Sequence, residues 1–231
     1  MTAHAIKIAP SILSADFRCL EREVKDAEQA GADFIHCDVM DGSFVPNITF
    51  GPLVVEAVRK CVSIPLDVHL MIVNPDAYID AFCQAGATIL TFHAEASSDI
   101  AGDLDRIAAH GVGRGVTVNP DKPAELFLPH LESIDQVLIM TVYAGFGGQK
   151  FIAEMLDKIR QTRAQAEKRR PQLDIEVDGG VNHETAADCA AAGANVLVAG
   201  SYIFGAEDYR DRIDALRAGA AKGQTSGKQS S

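Results

Sequence analysis

The chain has 231 residues, 47% of them hydrophobic, which suits a large α/β domain with a sizeable core and argues against a disordered chain. Its net charge of −11 speaks against a nucleic-acid or anionic-membrane partner, since either demands a basic face. A small phosphorylated ligand remains compatible with that charge, because a few backbone N–H groups can hold phosphate locally.

The cysteines, Cys19, Cys37, Cys61, Cys83 and Cys189, form no CxxC pair and no zinc-ribbon spacing. A scattered, odd set reads as reduced, mostly buried thiols in a cytosol-like compartment. The opening residues MTAHAIKIAP lack the apolar stretch of a secretory leader, and no apolar run is long enough to span a bilayer. The expectation is a cytoplasmic protein with no membrane partner.

Short β-like runs alternate with helix-like stretches. The first run, IKIAPSIL (6–13), leads to Ser11, a loop cap or a hydroxyl donor to a ligand. In the second, DFIHCDVM (33–40), side chains alternate between faces, so His36, Asp38 and Met40 share one face and Ile35, Cys37 and Val39 the other. Cys37 is thereby core, and Asp41-Gly42 reads as a turn. Val54, Val55 and Val58 then form an apolar stripe after Pro52. The third run, PLDVHLMI (65–72), sets Asp67, His69 and Met71 against Val68, Leu70 and Ile72; Asn74 followed by Pro75 predicts a capped helix start. The fourth run (88–95) carries His93, read as structural, and the fifth is 113–118. The sixth (136–142) is followed by the Gly-rich turn Gly145-Phe146-Gly147-Gly148 and by Ile152, Met155, Leu156 and Ile159 at helical spacing. The seventh (174–180) sets Glu176 and Asp178 against Ile175 and Val177 and ends at Gly179-Gly180. The eighth (195–201) ends at Gly200-Ser201. Ala-Gly-Ala recurs at 30–32, 85–87 and 192–194, each time before a β-like run, where glycine suits a left-handed helix C-cap.

Eight such units predict one closed (β/α)8 barrel, a TIM barrel, over residues 1–219, followed by a flexible polar tail at 220–231. An open doubly wound sheet ranks lower, because no GxGxxG follows the first run.

On three strands the apolar face suits packing against helices, which turns the polar face into the barrel. His36, Asp38, His69 and Asp178 lie near the C-terminal strand ends, where barrel active sites sit. Any one of them alone suits a hydrogen-bonded buried group. Two imidazoles and two carboxylates together favour a divalent-metal site, Zn2+ first, with Fe2+, Mn2+ or Co2+ also suited. Met40, Met71 and Met140 are ordinary core or soft walls above that site. The three late Gly-rich turns suit close backbone approach to a phosphate, with no Lys or Arg at those strand ends.

The segments APSILSADF (9–17), HCDVMDGSFVPNITFGP (36–52), DVHLM (67–71), TFHAEAS (91–97), GFGGQKF (145–151), EVDGGVN (176–182) and VAGS (198–201) resemble the ribulose-phosphate 3-epimerase family across nearly the whole chain. The resemblance implies a barrel of the ribulose-phosphate-binding type that interconverts D-ribulose 5-phosphate and D-xylulose 5-phosphate. It implies one divalent cation per chain on His36, Asp38, His69 and Asp178, with Asp38 and Asp178 as the acid/base pair. It also implies substrate contacts from Ser11, His69, Gly145, Phe146, Gly147, Gly148, Asp178, Gly179, Gly180, Gly200 and Ser201. The chain departs from the family pattern at Tyr143-Ala144, where an acidic or Asn residue and then Pro usually precede GFGG.

Alternative readings are an epimerase of another ketose phosphate, such as a hexulose 6-phosphate, a phosphate-binding barrel lyase or decarboxylase, and a non-catalytic sugar-phosphate-binding protein. The decarboxylase pattern Asp-x-Lys-x-x-Asp is absent: Asp38-Val39-Met40-Asp41 has no Lys. The expected partners are a small sugar phosphate and further copies of the chain in a homo-oligomer.

Overall fold

In the computed structural model, which describes residues 4–227, all eight β-like runs form strands. They are β1 (Lys7–Pro10), β2 (Ile35–Met40), β3 (Leu66–Met71), β4 (Ile89–His93), β5 (Gly113–Val118), β6 (Gln136–Met140), β7 (Asp174–Asp178) and β8 (Val196–Ala199). Every neighbouring pair is parallel, in the order β1-β8-β7-β6-β5-β4-β3-β2. The seam between β1 and β2 closes through the Ser11–His36 bridge and through the N–H groups of Asp33 and Phe34, which donate to the Ile8 carbonyl. The predicted barrel is therefore present.

The helices are α1 (Leu20–Gln29), α2 (Pro52–Cys61), α3 (Ile79–Gln84), α4 (Ile100–Ala109), α5 (Met155–Arg169), α6 (His183–Ala192), α7 (Ser201–Phe204) and α8 (Tyr209–Gly227). They cover the outer strand faces as the alternation predicts. Ile35, Cys37, Val39, Val68, Leu70, Ile175 and Val177 are buried in one cluster with helix residues such as Val24, Val55, Val58 and Ile159. Full burial of each large aliphatic side chain stabilises by about 1.5–3 kcal/mol. A small second cluster of Ala9, Phe34, Val196 and Val198 is separate from it. The crossover from β5 to β6 has only 3₁₀ turns, Ala124–Leu126 and Leu128–Ser133. Pro123 and Pro129 stand there, and proline in a helix interior removes a donor and clashes with the preceding turn. In the three Ala-Gly-Ala repeats, Gly31, Gly86 and Gly193 have φ of 98°, 103° and 116°, the left-handed C-cap that the pattern predicts.

Two local expectations are corrected. Asn74 does not cap a helix: it is left-handed (φ 52°), makes no side-chain cap bond, and precedes a single 3₁₀ turn, Pro75–Ala77. A residue before proline is pushed out of the right-handed helical region, and Asn tolerates the left-handed one. The expected flexible tail from 220 is helical through Gly227, and Ala220 is buried. The small residues there serve close packing. A Cβ on Gly219 would lie 2.2 Å from the His183 carbonyl, and one on Gly223 1.9 Å from that of Ala187, so α8 approaches α6 where only glycine fits. Residues 228–231 of that expected tail lie outside the described residues.

Candidate active site

The pleat of three strands brings four predicted residues together. β2 supplies His36 and Asp38, β3 supplies His69 and β7 supplies Asp178; the parallel register sets Asp38 opposite His69. One nitrogen or carboxylate oxygen from each lies within 4.8 Å of those of the others. His36, Asp38 and His69 are buried, whereas Asp178 is half-buried and faces a cavity. Ser11, just past β1, donates its hydroxyl to Asp38 Oδ2 at 2.6 Å.

One rung nearer the strands' N-terminal ends lies a second polar tier. Asp67 Oδ2 is 2.6 Å from His36 Nδ1. Gln136 Nε2 donates to Asp67 Oδ1 at 3.0 Å and to Glu176 Oε2 at 2.7 Å. All three residues are buried. Burial pushes the Glu176 carboxyl well above the usual carboxylate range, and the Asp67 charge adds to this. These residues support the first tier: Asp67 accepts from His36 Nδ1–H and so fixes which ring nitrogen faces Asp38.

A third arm leaves His69 toward β4. His93 Nε2 lies 3.0 Å from His69 Nε2, and His93 Nδ1 lies 3.3 Å from Glu95 Oε1. Burial lowers the His93 imidazole to about 4, so it is neutral at pH 7. Its Nδ1–H then donates to Glu95, and its Nε2 accepts from His69 Nε2–H. The other ring nitrogen, His69 Nδ1, lies 3.1 Å from Asp38 Oδ1. The same oxygen is 3.2 Å from His36 Nε2.

Asp38 Oδ1 thus faces two ring nitrogens whose outer partners are already fixed. Bare lone pairs at such distances repel unless positive charge lies among them. Burial alone would lower the His36 pKa, but Asp38 and Asp67 outweigh it and raise it well above its usual value. Burial alone would raise Asp38, yet His36 and His69 hold it well below the usual carboxylate range. Asp178 lacks any hydrogen-bond partner for its carboxylate among the described residues; burial and the Asp38 charge push it up to about 7. A two-His, two-carboxylate set that favours positive charge and keeps one under-coordinated carboxylate fits a divalent cation.

Above this floor opens a cavity of about 560 Å3. Met40, Met71 and Met140 line it as soft apolar walls, and Ser11, Asp38 and Asp178 form its polar floor. The loops after β6, β7 and β8 complete it, and Gly145, Phe146, Gly147, Gly148, Gly179, Gly180, Gly200 and Ser201 all line it. Gly180 has φ 66°, and a Cβ there would meet the Phe151 nitrogen at 2.6 Å, so this turn accepts only glycine without distortion. His36 and His69 do not line the cavity; His69 is buried beneath it with both ring nitrogens engaged. Lys150, exposed, is the one cationic side chain among the described lining residues, and the sequence placed none at these strand ends.

Sequence reasoning left Asp67, Gln136, Glu176, Glu95 and Asn119 without a role. Inward parity was available for Asp67 and Glu176 but does not report depth. His93, read as structural, contacts a residue of the ligand set.

A sequence profile described as the Ribulose-phosphate 3 epimerase family matches residues 7–204. Similar curated proteins include a ribulose-phosphate 3-epimerase of Bacillus subtilis (strain 168), 54% identical over 92% of this chain and 98% of that one. Another is from Rhodobacter capsulatus, 51% identical over 94% of this chain and 96% of its own length. Among solved structures, a 3-hexulose-6-phosphate synthase is 22% identical with a TM-score of 0.67, covering 93% of this chain and 99% of that one. That likeness shows the barrel fold alone. Because identity near half extends over nearly full length on both sides and the profile spans every strand, the chain belongs to the ribulose-phosphate 3-epimerase family.

Proposed function

We infer that the chain is a ribulose-phosphate 3-epimerase, an isomerase that interconverts D-ribulose 5-phosphate and D-xylulose 5-phosphate by inverting C3. The observation that carries this reading is the pair Asp38 and Asp178, two carboxylates of opposite electrostatic character on the floor of one cavity. His36 and His69 hold Asp38 ionised at neutral pH, while Asp178, at about 7, can hold a proton. Inverting C3 requires a base to take the proton next to the ketone and an acid to return one to the other face. In this reading Asp38 and Asp178 flank the substrate plane and exchange these roles with the direction of reaction. Ser11 keeps Asp38 oriented through Oδ2, and Asp67 and Gln136 keep His36 oriented beneath it.

His36, Asp38, His69 and Asp178 would hold a divalent cation, Zn2+ by preference, with Fe2+, Mn2+ and Co2+ as alternatives. When bound, such an ion acts as a Lewis acid that stabilises the negative charge of an enediolate. The methionine walls exclude water above the reacting carbons. The turns Gly147-Gly148, Gly179-Gly180 and Gly200-Ser201 would receive the phosphate on backbone N–H groups, with Lys150 nearby. The protein would work in the cytoplasm, to which its free cysteines are suited. It would do so as a homo-oligomer, with exposed Ile48 and Leu53 as apolar surface for a second copy.

Incubation with D-ribulose 5-phosphate in deuterated water tests the whole reading. The expected product is D-xylulose 5-phosphate carrying deuterium at C3. Absence of both conversion and label with metal-loaded protein would overturn it.

A further inference from the structure

The loop from Tyr143 to Gln149 is held by side chains of two other loops and by its own last residue. Asn47 Nδ2 donates to the Gly145 carbonyl at 2.9 Å. Gln149 Nε2 donates to the carbonyls of Tyr143 at 2.7 Å and Phe146 at 2.8 Å. The Ala144 N–H donates to Asn119 Oδ1 at 3.3 Å. This last bond leads to the metal side. Asn119 follows β5 and donates both its backbone N–H, at 2.9 Å, and its Nδ2, at 3.0 Å, to Glu95 Oε1. That same oxygen accepts from His93 Nδ1–H, and His93 accepts from His69. A continuous run of hydrogen bonds therefore joins His69 to the phosphate-side loop across the ends of β3, β4, β5 and β6.

Asn119 is itself fixed. Lys158 on α5 donates to the carbonyls of Asn119, Pro120 and Lys122 at 3.3, 3.0 and 2.7 Å, pinning the segment that carries it. The link also depends on residue 144 having an N–H, which proline lacks.

We propose that Asn119 is a positioning residue: through Ala144 N–H on one side and Glu95 on the other, it sets the phosphate-side loop in register with His69. The inference rests on the reading that this loop receives the phosphate. A sugar phosphate gripped at both ends reacts only if the two grips keep a fixed separation, and small misplacement is expensive in rate. Two loops separately anchored would not guarantee that separation; one shared residue does.

The test uses four variants of the full chain: Asn119→Ala, Asn119→Asp, Ala144→Pro and the double variant Asn119→Ala/Ala144→Pro. KM and kcat are measured with D-ribulose 5-phosphate, and the visible absorption spectrum and affinity are measured for Co2+ bound to each protein. Ala144→Pro removes the loop bond while leaving Asn119, Glu95 and His93 in place, and should raise KM about 2–10-fold, the worth of one hydrogen bond, with an unchanged cobalt spectrum. Asn119→Ala should raise KM comparably and also shift the spectrum, because Glu95 and His93 lose support behind His69. Asn119→Asp keeps an acceptor for Ala144 but replaces the amide donor with a carboxylate that repels Glu95, so its KM should stay nearer that of the wild type than Asn119→Ala does, while its spectrum is shifted at least as far. The double variant should have the KM of Asn119→Ala alone. Multiplying KM effects in the double variant, an Asn119→Ala cobalt spectrum like that of the wild type, or wild-type KM in Ala144→Pro and Asn119→Ala would overturn the inference. If Asn119→Ala does not fold, Ala144→Pro and Asn119→Asp decide by the same two readouts. Wild-type turnover of free D-ribulose, run alongside, separates the two levels. Equal use of free and phosphorylated sugar removes the phosphate reading and the inference with it. Strong preference for the phosphorylated sugar with unaltered variants removes this inference alone.

Discussion

The floor and the rim of the cavity are built by different means. The floor is made of side chains on β2, β3 and β7; those on β2 and β3 are buried and fixed by partners from other elements, as in Ser11–Asp38, Asp67–His36 and His93–His69, whereas the half-buried Asp178 on β7 has no carboxylate partner among the described residues. The rim is made of backbone after β6, β7 and β8, much of it glycine; the loop after β6 is held by Asn47 and Asn119 from other loops and by its own Gln149. A floor of this kind inherits its precision from the sheet, whose two-residue period sets every side chain's direction. The rim has no such lattice and inherits its shape from a few cross-links. Damage to the floor should therefore appear in kcat and in metal retention, and damage to the rim in KM.

The largest expected effect is on the floor. Asp38→Asn and Asp178→Asn keep the side-chain shape but remove a proton acceptor, and each should lower kcat by at least about 10²–10⁴-fold, the usual worth of general acid–base catalysis. Hydrogen–deuterium exchange at C3, followed by NMR from each epimer in turn, checks which carboxylate serves which face: a variant with one working carboxylate can exchange a proton without inverting the centre. Wild-type rates in both variants would break the two-carboxylate reading while leaving the barrel untouched. Next comes Asp67→Asn, one rung below. It removes the negative charge beside His36 and one of the two acceptor oxygens, so a single amide oxygen cannot accept from both His36 and Gln136, and metal affinity should fall about 10–100-fold, as for other supporting partners of metal-bound His. Competition with a chelator of known affinity measures this. Unchanged affinity would mean that the lower tier serves only the packing of the barrel.

This contrast also governs what could be read from the sequence. All eight strands were legible because their outward faces are largely apolar, and the cluster of His36, Asp38, His69 and Asp178 was legible because polar residues share inward parity on β2, β3 and β7. Parity gives direction but not depth, so nothing marked Asp67 and Glu176 as support rather than ligands. Depth is set by how adjacent strands are staggered, a property of the closed barrel. Glu95, Asn119, Asn47 and Gln149 carry no periodic signal at all, since their partners are backbone atoms or distant side chains brought near by loop folding. Composition misled at the C-terminal end, where small residues permit close contact of α8 with α6 and do not mark a loose tail.

The smallest of the three effects probes the rim alone. Gly147 lies exposed in the cavity wall, its φ is not in the left-handed region, and an added Cβ would meet only Ser14 Oγ at 3.7 Å and Leu13 Cδ2 at 3.8 Å, ordinary contact distances. Gly147→Val should therefore fold with nearly unchanged thermal stability, unlike Gly180→Ala, whose Cβ would strike the Phe151 backbone in a left-handed residue. Its methyls would nonetheless keep a phosphate from approaching the N–H groups of residues 147 and 148. Weakening one hydrogen bond to a charged group by about 1.5 kcal/mol corresponds to about a tenfold rise in KM. The rise should be confined to the phosphorylated sugar, with kcat within about twofold of wild type, because neither carboxylate nor their supports on the strands are touched. Thermal melting and steady-state kinetics on the same preparations give all three numbers. A kcat loss as large as the KM change would show that the rim helps to place the reacting carbons, and the division of labour between floor and rim would have to be redrawn as a single coupled site. A KM rise equal for free and phosphorylated sugar would instead locate the contact of this loop on the carbon chain.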